Sequence, residues 1–544
     1  MPGSFLATLR YDPKYERNTA SRLSDFGFPG LCPGFTDTIH WSFVMSVRVR
    51  YAPSPIGLQH IGGIRTALFN YFFARANGGS FILRIEDTDR ERSTPEALED
   101  LYSTLEWLGI NFDEGPGKDG GYGPYVQSER EQLYKDKAAE LVSSGKAYPC
   151  FCSSERLDVV RKEQKAAKKS IGYDRHCRGL SPDEAHARIK AGEKHVIRLK
   201  VPLEGKTVFE DIILGQTGRK NKDINPDPVI LKTDGFPTYH LANVIDDHAM
   251  GITHIMRAQE WIPSGPLHVL IYEAFGWKPP AYCHLPMVMG KDGQKLSKRH
   301  GSTSVSDFRK NGYLPEALVN FVSLLGWSYD DSREFFSMED LCSLFSLEKI
   351  NKSPAVFDYR KLDWFNGQYL RMKDPEELNG MLLPLLAEEG LVSDPPTPGE
   401  LDIFNGAFPI IRERLKLLND VVPMLRFLFT DPGIGNAEDA IPKKMDASEA
   451  AKALGLGEKL LMEAADPPGA SDEEACAAWD EVMDGRFRET AEKEELKIGA
   501  MLQPLRLAVT ASKVSPPLFP AIRLLGLEES LKRIKRLIGV LENM

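Results

Sequence analysis

Two short segments, far apart in the chain, carry residues suited to binding phosphate. The first is the turn Pro53–Gly63, which has glycine at 57, 62 and 63 and a histidine at 60. Gly57, Gly62 and Gly63 would let a nucleotide approach the backbone closely, and His60 could donate to a phosphate oxygen. A helix that begins beside this turn would add unpaired N–H groups and a positive dipole end. Most glycine-rich turns bind nothing, so this segment alone is a weak signal.

The second segment is the basic run Lys295-Leu-Ser-Lys-Arg299, which begins 235 residues after His60. An isolated basic run is usually a solvated loop. Together, the two segments fit an attack by a carboxylate on the α-phosphate of ATP, which spreads negative charge and expels pyrophosphate. Lys298 would close over the leaving group, while Lys295 and Arg299 would add positive field. We therefore predict an enzyme that activates a carboxylate with ATP.

The elements around the first turn indicate the fold. Residues 47–51 alternate as a strand does, 62–76 have a helical pattern that Asn77-Gly-Gly79 ends, and 80–85 form a second, mostly apolar strand. Such a strand–helix–strand unit favours a Rossmann-type doubly wound parallel sheet.

Further elements follow the same reading. Helices are predicted at 94–107 and 128–143, and parallel strands near 229–231, 255–256 and 285–289. Residues 150–205 read as an insertion of mixed character. Beyond Pro315 nearly every pattern is helical, with linkers near 394–399, 431–435 and 467–469.

Composition limits the remaining possibilities. The chain has 544 residues, a net charge of −10 and seven scattered cysteines, which are typical of a globular protein with reduced thiols. No apolar run reaches the roughly 18 residues of a membrane span. The negative charge argues mildly against a nucleic-acid partner, so any such partner would need local basic patches.

The first 45 residues are rich in Gly, Pro, Ser and Thr. A transit peptide would be nearly free of acids, but four acidic residues occur here. We interpret the segment as a disordered tail, or as the result of a start assigned too early with Met45 as the true start. A transit peptide is the alternative, which would move the expected location from the cytoplasm to a mitochondrial or plastid matrix.

The two phosphate-binding motifs resemble those of a known enzyme family. His60-Ile-Gly-Gly63 and Lys295–Arg299 are similar to the two signatures of class I aminoacyl-tRNA synthetases, and the chain resembles glutamyl-tRNA synthetases of the bacterial or organellar type. The supporting strings cover residues 47 to about 370 densely and the rest loosely; they are Arg84–Asp89, Gly123–Arg130, Lys232–Asn243, Val244–His248, Glu260-Trp261, Asn320–Trp327 and Gln503–Arg506.

The resemblance implies a reaction and its partners. L-glutamate and ATP with Mg²⁺ would give glutamyl-adenylate, and the 3′-terminal adenosine of tRNA(Glu) would take the glutamyl group. A monomer without membrane attachment is expected. By resemblance, the ATP site contains Pro53, Ser54, Gly57, His60, Gly62, Gly63, Glu260 and Lys298, and the glutamate site contains Arg50, Ala52, Ser54, Glu86, Tyr239, Asn243 and Arg257.

Physical chemistry agrees with part of this assignment. A carboxylate side chain calls for the planar fork of an arginine. Arg257 or Arg50 would serve, and the resemblance favours Arg257. Glu86 would suit the substrate ammonium. Relatives usually have Thr where this chain has Ile56, which puts one nucleotide contact in doubt, while Leu296 for the commoner Met is a mild change.

A metal site is also expected in the insertion. Cys150, Cys152 and Cys177 would supply three zinc ligands, and Tyr173 or His176 the fourth, because structural zinc takes four ligands. The alternative is three thiols without metal in a small subdomain.

The tRNA side rests on weaker signals. The basic helix Arg156–Lys169 lies in the region that relatives place at the acceptor end, although it could equally be a solvated face. Arg412 and Arg414 align loosely with anticodon-reading positions. We interpret the terminal run Lys532–Arg536 as a solvated helix face rather than a phosphate site.

The predicted organisation has six parts. They are a disordered N-terminal extension (1–45), the first half of the catalytic Rossmann domain (46–127), an inserted acceptor-binding domain (128–240), the second Rossmann half (241–290), a stem-contact domain with the Lys295–Arg299 loop (291–375) and α-helical anticodon-binding domains (376–544).

Other functions fit less well. The string His240–His248 speaks against a glutaminyl-tRNA synthetase, and about 170 residues past Leu370 speak against the short relative that glutamylates a modified tRNA base. A small-molecule nucleotidylyltransferase would not need this length. A catalytically dead tRNA-binding paralogue would not need both signatures intact. Whether tRNA(Gln) is also charged stays open.

Overall fold

The computed structural model describes residues 46–89, 92–469, 472–512 and 515–544. The predicted N-terminal extension therefore lies outside the described residues. The strands are β1 (Arg48–Tyr51), β2 (Ser80–Leu83), β3 (Ala147–Cys150), β4 (Val196–Leu199), β5 (Lys206–Asp211), β6 (Gly215–Lys220), β7 (Val229–Leu231), β8 (His254–Ala258), β9 (Ala281–Leu285), β10 (Val288–Met289) and β11 (Ala355–Val356).

Helices make up most of the remaining chain. They are α1 (Ile61–Ala76), α2 (Pro95–Trp107), α3 (Glu131–Ser143), α4 (Ser154–Ala166), α5 (Pro182–Lys190), α6 (Tyr239–Ala249), α7 (Gly265–Phe275), α8 (Val305–Lys310), α9 (Pro315–Ser323), α10 (Met338–Leu344), α11 (Tyr359–Met372), α12 (Pro375–Glu388), α13 (Pro398–Arg412), α14 (Val421–Phe429), α15 (Ala447–Met462), α16 (Glu473–Lys493), α17 (Ile498–Thr510), α18 (Leu518–Leu525) and α19 (Leu527–Leu541).

The parallel core forms as the sequence predicts. Strands β1 and β2 pair in parallel from Arg48↔Ser80 to Tyr51↔Leu83, with α1 as the crossover. Strands β8 and β9 also pair in parallel. Two hydrogen bonds of 2.9 Å between Arg48 and Thr253 attach β1 to the start of β8. The prediction of a Rossmann-type sheet is confirmed, and the carboxyl ends of β1 and β8 lie at the same edge, where such sheets bind ligands.

A hairpin from the predicted insertion extends this sheet. Strands β5 and β6 are antiparallel partners, and β5 pairs in parallel with β9 at Asp211↔Tyr282. The chain segment 206–220 therefore belongs to the catalytic sheet in space, although the sequence places it before the second Rossmann half.

A separate antiparallel sheet contains β3, β4 and β7. The strand at 229–231 exists, but the prediction that it belongs to the parallel sheet is wrong, because β7 pairs antiparallel with β4. Three apolar residues carry no information about the direction of a partner. This sheet packs with α3, α6 and α7 around a core that includes Tyr134, Ile230 and Ile245.

The helical half is built on three further cores. Helices α8 to α11 share one core with α1 and the catalytic sheet, in which Phe69 contacts Phe345 with ring centroids 5.1 Å apart. Helices α12 to α14 enclose a second core, and α15 to α19 a third. The predicted linkers at 431–435 and 467–469 lie between helices, and the one at 394–399 runs into the start of α13. Among the described residues, no helix has the length and apolar character needed to span a membrane.

Candidate active site

The first phosphate segment sits where β1 gives way to α1. His60 is the N-cap of α1, and its Nδ1 accepts the backbone N–H of Gly63 at 3.1 Å. Burial lowers the pKa of His60, the charge of Lys295 lowers it further, and Glu260 opposes both. The imidazole is therefore neutral near pH 7 with its proton on Nε2, which can donate to a phosphate oxygen.

Two glycines in the first turn of α1 have little room for a side chain. A Cβ on Gly63 would lie 3.0 Å from the Tyr51 hydroxyl and one on Gly62 would lie 3.2 Å from the His60 ring, whereas Gly57 faces open space. Gly62 and Gly63 thus allow α1 to start against the strand. Gly57 leaves room for a ligand.

The residues that follow the second phosphate segment are hydrogen-bonded to the first segment. Ile61 donates its backbone N–H to the Thr303 carbonyl at 3.0 Å, and Val305 donates to the Gln59 carbonyl at 2.9 Å. The structure therefore brings together the two segments that are 235 residues apart in the sequence.

The basic side chains of the second segment face acids. Lys295 forms an ion pair with Glu260, and Arg299 lies 3.3 Å from Asp292. All four side chains are about half exposed, so these pairs are weak and exchangeable. Lys298 begins a short 3-10 turn, and its side chain lies outside the described part of the structure.

A buried charge network lies at the carboxyl ends of β1 and β2. Asp247 accepts from Arg50 at 2.9 and 3.2 Å and from Arg84 at 2.7 Å. Arg84 also donates to Glu86 at 2.9 Å. Burial would raise the pKa of Asp247, but Arg50 and Arg84 together lower it, so the carboxylate is ionised. The charges of Arg50 and Arg84 are thus already compensated.

Glu86 and Asn243 lie side by side in this network. The Asn243 amide donates to Glu86 at 3.3 Å, while its buried Oδ1 has no hydrogen-bond partner among the described residues. Burial raises the pKa of Glu86, and Arg84 counteracts part of that effect. The backbone N–H of Glu86 donates to the Pro53 carbonyl at 3.0 Å. This contact places the acid next to the first phosphate turn, in which Ala52 is half-buried and Ser54 exposed.

Arg257 of β8 differs from Arg50 and Arg84, the two arginines of the charge network. The residue is 5% exposed, and among the described residues it has no carboxylate partner. It donates to His284 Nε2 at 3.1 Å, to His268 Nδ1 at 3.3 Å and to Tyr239 at 3.4 Å. Its remaining contact is the Trp261 carbonyl at 3.4 Å. All four partners are uncharged, so a full positive charge is left at the edge of the site.

Three histidines surround this arginine. The side chains of His268 and His284 are fully buried, and His240 Nδ1 lies 3.0 Å from His268 Nε2. Burial, followed by the Arg257 charge, lowers the pKa of His240 to about 4 and that of His268 well below its usual value. Tyr239 closes this side by packing on Trp261, with ring centroids 4.6 Å apart.

The sequence reasoning missed several of these residues. Arg84 and Asp247 stand inside quoted motif strings but received no role, and His268, His284 and Asp211 lie in none of them. No local signal could have found the last two, because 73 positions separate Asp211 from His284.

The three cysteines of the insertion meet as expected. The sulfur atoms of Cys150, Cys152 and Cys177 lie within 4.8 Å of one another. The Tyr173 hydroxyl lies 3.2 Å from Cys150 Sγ and 3.6 Å from Cys152 Sγ. His176 is not in this cluster among the described residues. The donor set is therefore three thiols with a phenol oxygen in the fourth position.

The predicted tRNA-contacting residues divide into two kinds. Arg412 is half-buried and donates at 2.8 Å to the carbonyls of Arg371 and Lys373 at the end of α11, whereas Arg414 is exposed. Helix α4 buries none of its residues.

The terminal basic run is not simply a solvated face. Arg533 is 4% exposed and donates to the carbonyls of Phe427 and Val509, and Arg536 pairs with Asp431 at 2.6 Å. The interpretation of a solvated helix face is wrong for Arg533, whereas Arg536 stays about one-third exposed in its ion pair. Amphipathic periodicity cannot show that a neighbouring helix end supplies acceptors.

Comparison with known proteins places the chain among relatives. The family model "tRNA synthetases class I (E and Q), catalytic domain" matches residues 46–364, and an anticodon binding domain model matches residues 377–538. The chain is 55% identical over 491 residues to a glutamate–tRNA ligase of Borreliella burgdorferi, covering 90% of this chain and 98% of the relative. A glutamate–tRNA ligase of Dehalococcoides mccartyi is 47% identical over 501 residues, covering 92% and 99%.

Solved structures give the same picture. The crystal structure of a glutamate-tRNA synthetase from Elizabethkingia anophelis matches with a TM-score of 0.73 and 35% identity, covering 91% of this chain and 100% of that one. A glutamate tRNA ligase from Elizabethkingia meningosepticum, solved in complex with its amino acid, matches equally well.

Proposed function

Because the chain belongs to the class I tRNA synthetases that serve glutamate and glutamine, and ligates glutamate to tRNA, we propose that the buried guanidinium of Arg257 reads the side-chain carboxylate of L-glutamate. In the first step an oxygen of the α-carboxylate attacks the α-phosphorus of ATP, which gives glutamyl-adenylate and diphosphate. A hydroxyl of the 3′-terminal adenosine then attacks the carbonyl carbon, and AMP leaves.

The observation that carries this proposal is the difference between Arg257 and the two other buried arginines of the site, Arg50 and Arg84. Arg50 and Arg84 are held by Asp247, whereas Arg257 has only uncharged partners among the described residues. A buried arginine without an acid is costly, and a substrate carboxylate would supply the missing charge in a bidentate pair. Glutamine offers an amide instead, which would leave the guanidinium uncompensated, so the site would reject it without editing.

The substrate ammonium would bind beside Glu86 and Asn243. The Glu86 carboxylate and the partnerless Oδ1 of Asn243 are both acceptors, and an ammonium has three donors. With the ammonium there and the side chain on Arg257, the α-carboxylate would point toward the turn that contains Ala52 and Ser54.

The nucleotide would bind between the two phosphate segments. His60 Nε2–H and the N-terminus of α1 would contact the phosphates of ATP with its Mg²⁺. Lys295, Lys298 and Arg299 would then stabilise the charge of the leaving diphosphate. Because the exposed ion pair between Lys295 and Glu260 is weak, the Lys295 ammonium would exchange Glu260 for the phosphates of ATP when the nucleotide binds.

Zinc would fit the cysteine cluster of the insertion. Cys150, Cys152 and Cys177 supply soft ligands at a suitable spacing, and the Tyr173 hydroxyl supplies a fourth donor. A bound zinc ion would stabilise this subdomain and take no part in the reaction. Four ligands from the chain would leave no open position for a substrate.

The tRNA would lie along the insertion and the helical half. We assign residues 128–240, apart from the hairpin 206–220, to the acceptor end, 291–375 to the stem and 376–544 to the anticodon. Exposed Arg414 suits an unstacked base or a phosphate, while Arg412 would position the end of α11. A monomer is proposed, and a cytoplasmic location is proposed because tRNA, glutamate and ATP meet there.

Charging assays test the proposal directly. The chain should attach radiolabelled glutamate to purified tRNA(Glu) in an ATP-dependent reaction, and diphosphate exchange with glutamate should be measured with and without tRNA. Charging of tRNA(Gln) in parallel decides the breadth of the anticodon reading. Failure to charge either tRNA with glutamate would refute the function.

A further inference from the structure

We propose that Asp211 and His284 are positioning residues that hold the Arg257 guanidinium in the correct orientation, and that they thereby set the discrimination between glutamate and glutamine. The inference rests on the proposed role of Arg257. Neither residue reaches the substrate; both would act through Arg257.

The geometry is a continuous chain of three side chains. Asp211 Oδ2 lies 2.6 Å from His284 Nδ1, and Arg257 Nε lies 3.1 Å from His284 Nε2. The side chains of Asp211 and His284 are fully buried. Arg257 and His284 are also directly paired in the parallel register of β8 and β9, so the backbone sets their separation.

The chain of contacts fixes the tautomer of His284. An arginine nitrogen can only donate, so His284 Nε2 must accept from Arg257. The ring proton is then on Nδ1 and points at Asp211. Burial and the nearby arginine charge lower the pKa of His284, despite the opposing contribution of Asp211, which agrees with a neutral ring.

Asp211 cannot neutralise the arginine directly. Its carboxylate also accepts the backbone N–H groups of Ile213 and Leu214 at 3.0 Å each, and that of His284 at 3.1 Å. Burial would raise its pKa, but the hydrogen bonds from His284 and the backbone lower it overall. The carboxylate is thus ionised and held, and a neutral imidazole separates it from Arg257.

This arrangement has a consequence for specificity. If an acid touched Arg257 directly, as Asp247 touches Arg50, the site would no longer need a negative ligand, and an amide would compete better. The spaced acid orients the guanidinium through Nε. It leaves the two terminal nitrogens, whose contacts to His268, Tyr239 and Trp261 are 3.3–3.4 Å long, facing the side that a carboxylate would occupy.

The test compares four variants of the full chain in tRNA(Glu) charging. His284→Leu removes the acceptor, and Asp211→Asn allows the opposite tautomer, as replacing the buried acid of a histidine–aspartate pair does in serine proteases. His284→Gln keeps an amide oxygen that can accept from Arg257. His254→Gln is the control. His254 starts β8, the strand that contains Arg257, but its side chain contacts Thr253 and Phe73 rather than Arg257.

We expect a selective effect on glutamate. His284→Leu and Asp211→Asn should raise KM for glutamate about 10- to 100-fold, since an orphaned buried donor loses interactions of that size. KM for ATP and kcat should stay within about threefold, and the ratio of glutamine to glutamate inhibition constants should fall about tenfold. His284→Gln should recover part of the loss, and the control should match the parent chain.

Other results would overturn the proposal. A merely structural pair would change KM for ATP, kcat and KM for glutamate together, and an unchanged glutamate KM in Asp211→Asn would exclude any positioning role. If His284→Leu does not fold by circular dichroism, His284→Gln and Asp211→Asn decide by the same criteria. Absence of charging by the parent chain would instead refute the function, and this proposal with it.

Discussion

Replacing Arg257 and Arg50 by glutamine in turn separates recognition from stability. The two arginines are almost equally buried, at 5% and 4% exposure, but within the described part of the chain only Arg50 has an acid, Asp247, within hydrogen-bond distance. We expect Arg257→Gln to lose glutamate recognition and keep the fold. We expect Arg50→Gln to keep glutamate recognition and lower the free energy of unfolding.

The magnitudes follow from these contacts. A bidentate pair between Arg257 and a substrate carboxylate contains two charge-assisted hydrogen bonds of about 1.5–3 kcal/mol each. Its loss should lower kcat/KM for glutamate by roughly 10² to 10⁴. Arg50→Gln leaves a buried carboxylate that retains only Arg84, which should lower the free energy of unfolding by about 3 kcal/mol.

Two measurements on both variants decide the matter. Charging kinetics with tRNA(Glu) give kcat/KM for glutamate, and urea unfolding gives the free energy of unfolding. The reasoning would be refuted if Arg257→Gln charged tRNA at the parental glutamate KM, or if Arg50→Gln lost glutamate recognition at unchanged stability. The latter result would make Arg50 the reader of the side chain.

Three further predictions address other parts of the molecule. Folding lowers the pKa of His240 from 6.5 to about 4, so protonation of this histidine should cost no stability above about pH 6.5 and progressively more down to about pH 4. The free energy of unfolding in urea should therefore depend less on pH over this window in His240→Gln, by about 3 kcal/mol at most. An unchanged pH dependence would contradict the assignment. Cys177→Ser should reduce the bound zinc from about one equivalent to a small fraction, measured by metal analysis after purification without chelator. Cys342→Ser, which lies outside the cluster, should leave the zinc content unchanged. A parent chain with only a few tenths of an equivalent of zinc would exclude the site. Ile56→Thr, at a position that is 45% exposed, should change the free energy of unfolding by less than about 0.5 kcal/mol. If the new hydroxyl adds one hydrogen bond to the nucleotide, KM for ATP should fall about two- to tenfold. An unchanged KM for ATP would show that no such contact forms.

The sequence by itself determined the reaction class and the catalytic architecture. The turn at His60 and the run at Lys295–Arg299 needed no coordinates to indicate a joint phosphate site, because adenylation requires both and the motif strings are long. The strand–helix–strand unit around α1 was equally readable, since its strand alternation, helix stop and turn residues are local signals.

Only the tertiary structure decided which arginine is free to bind a carboxylate. Arg50 and Arg257 are equivalent as residue types, and the difference between them is that Asp247 lies against one and His284 against the other. Likewise, the strand at 229–231 was visible, but not its antiparallel partner β4. Local periodicity records which residues are buried, whereas charge compensation and strand direction depend on residues that are distant in the chain and that only folding brings together.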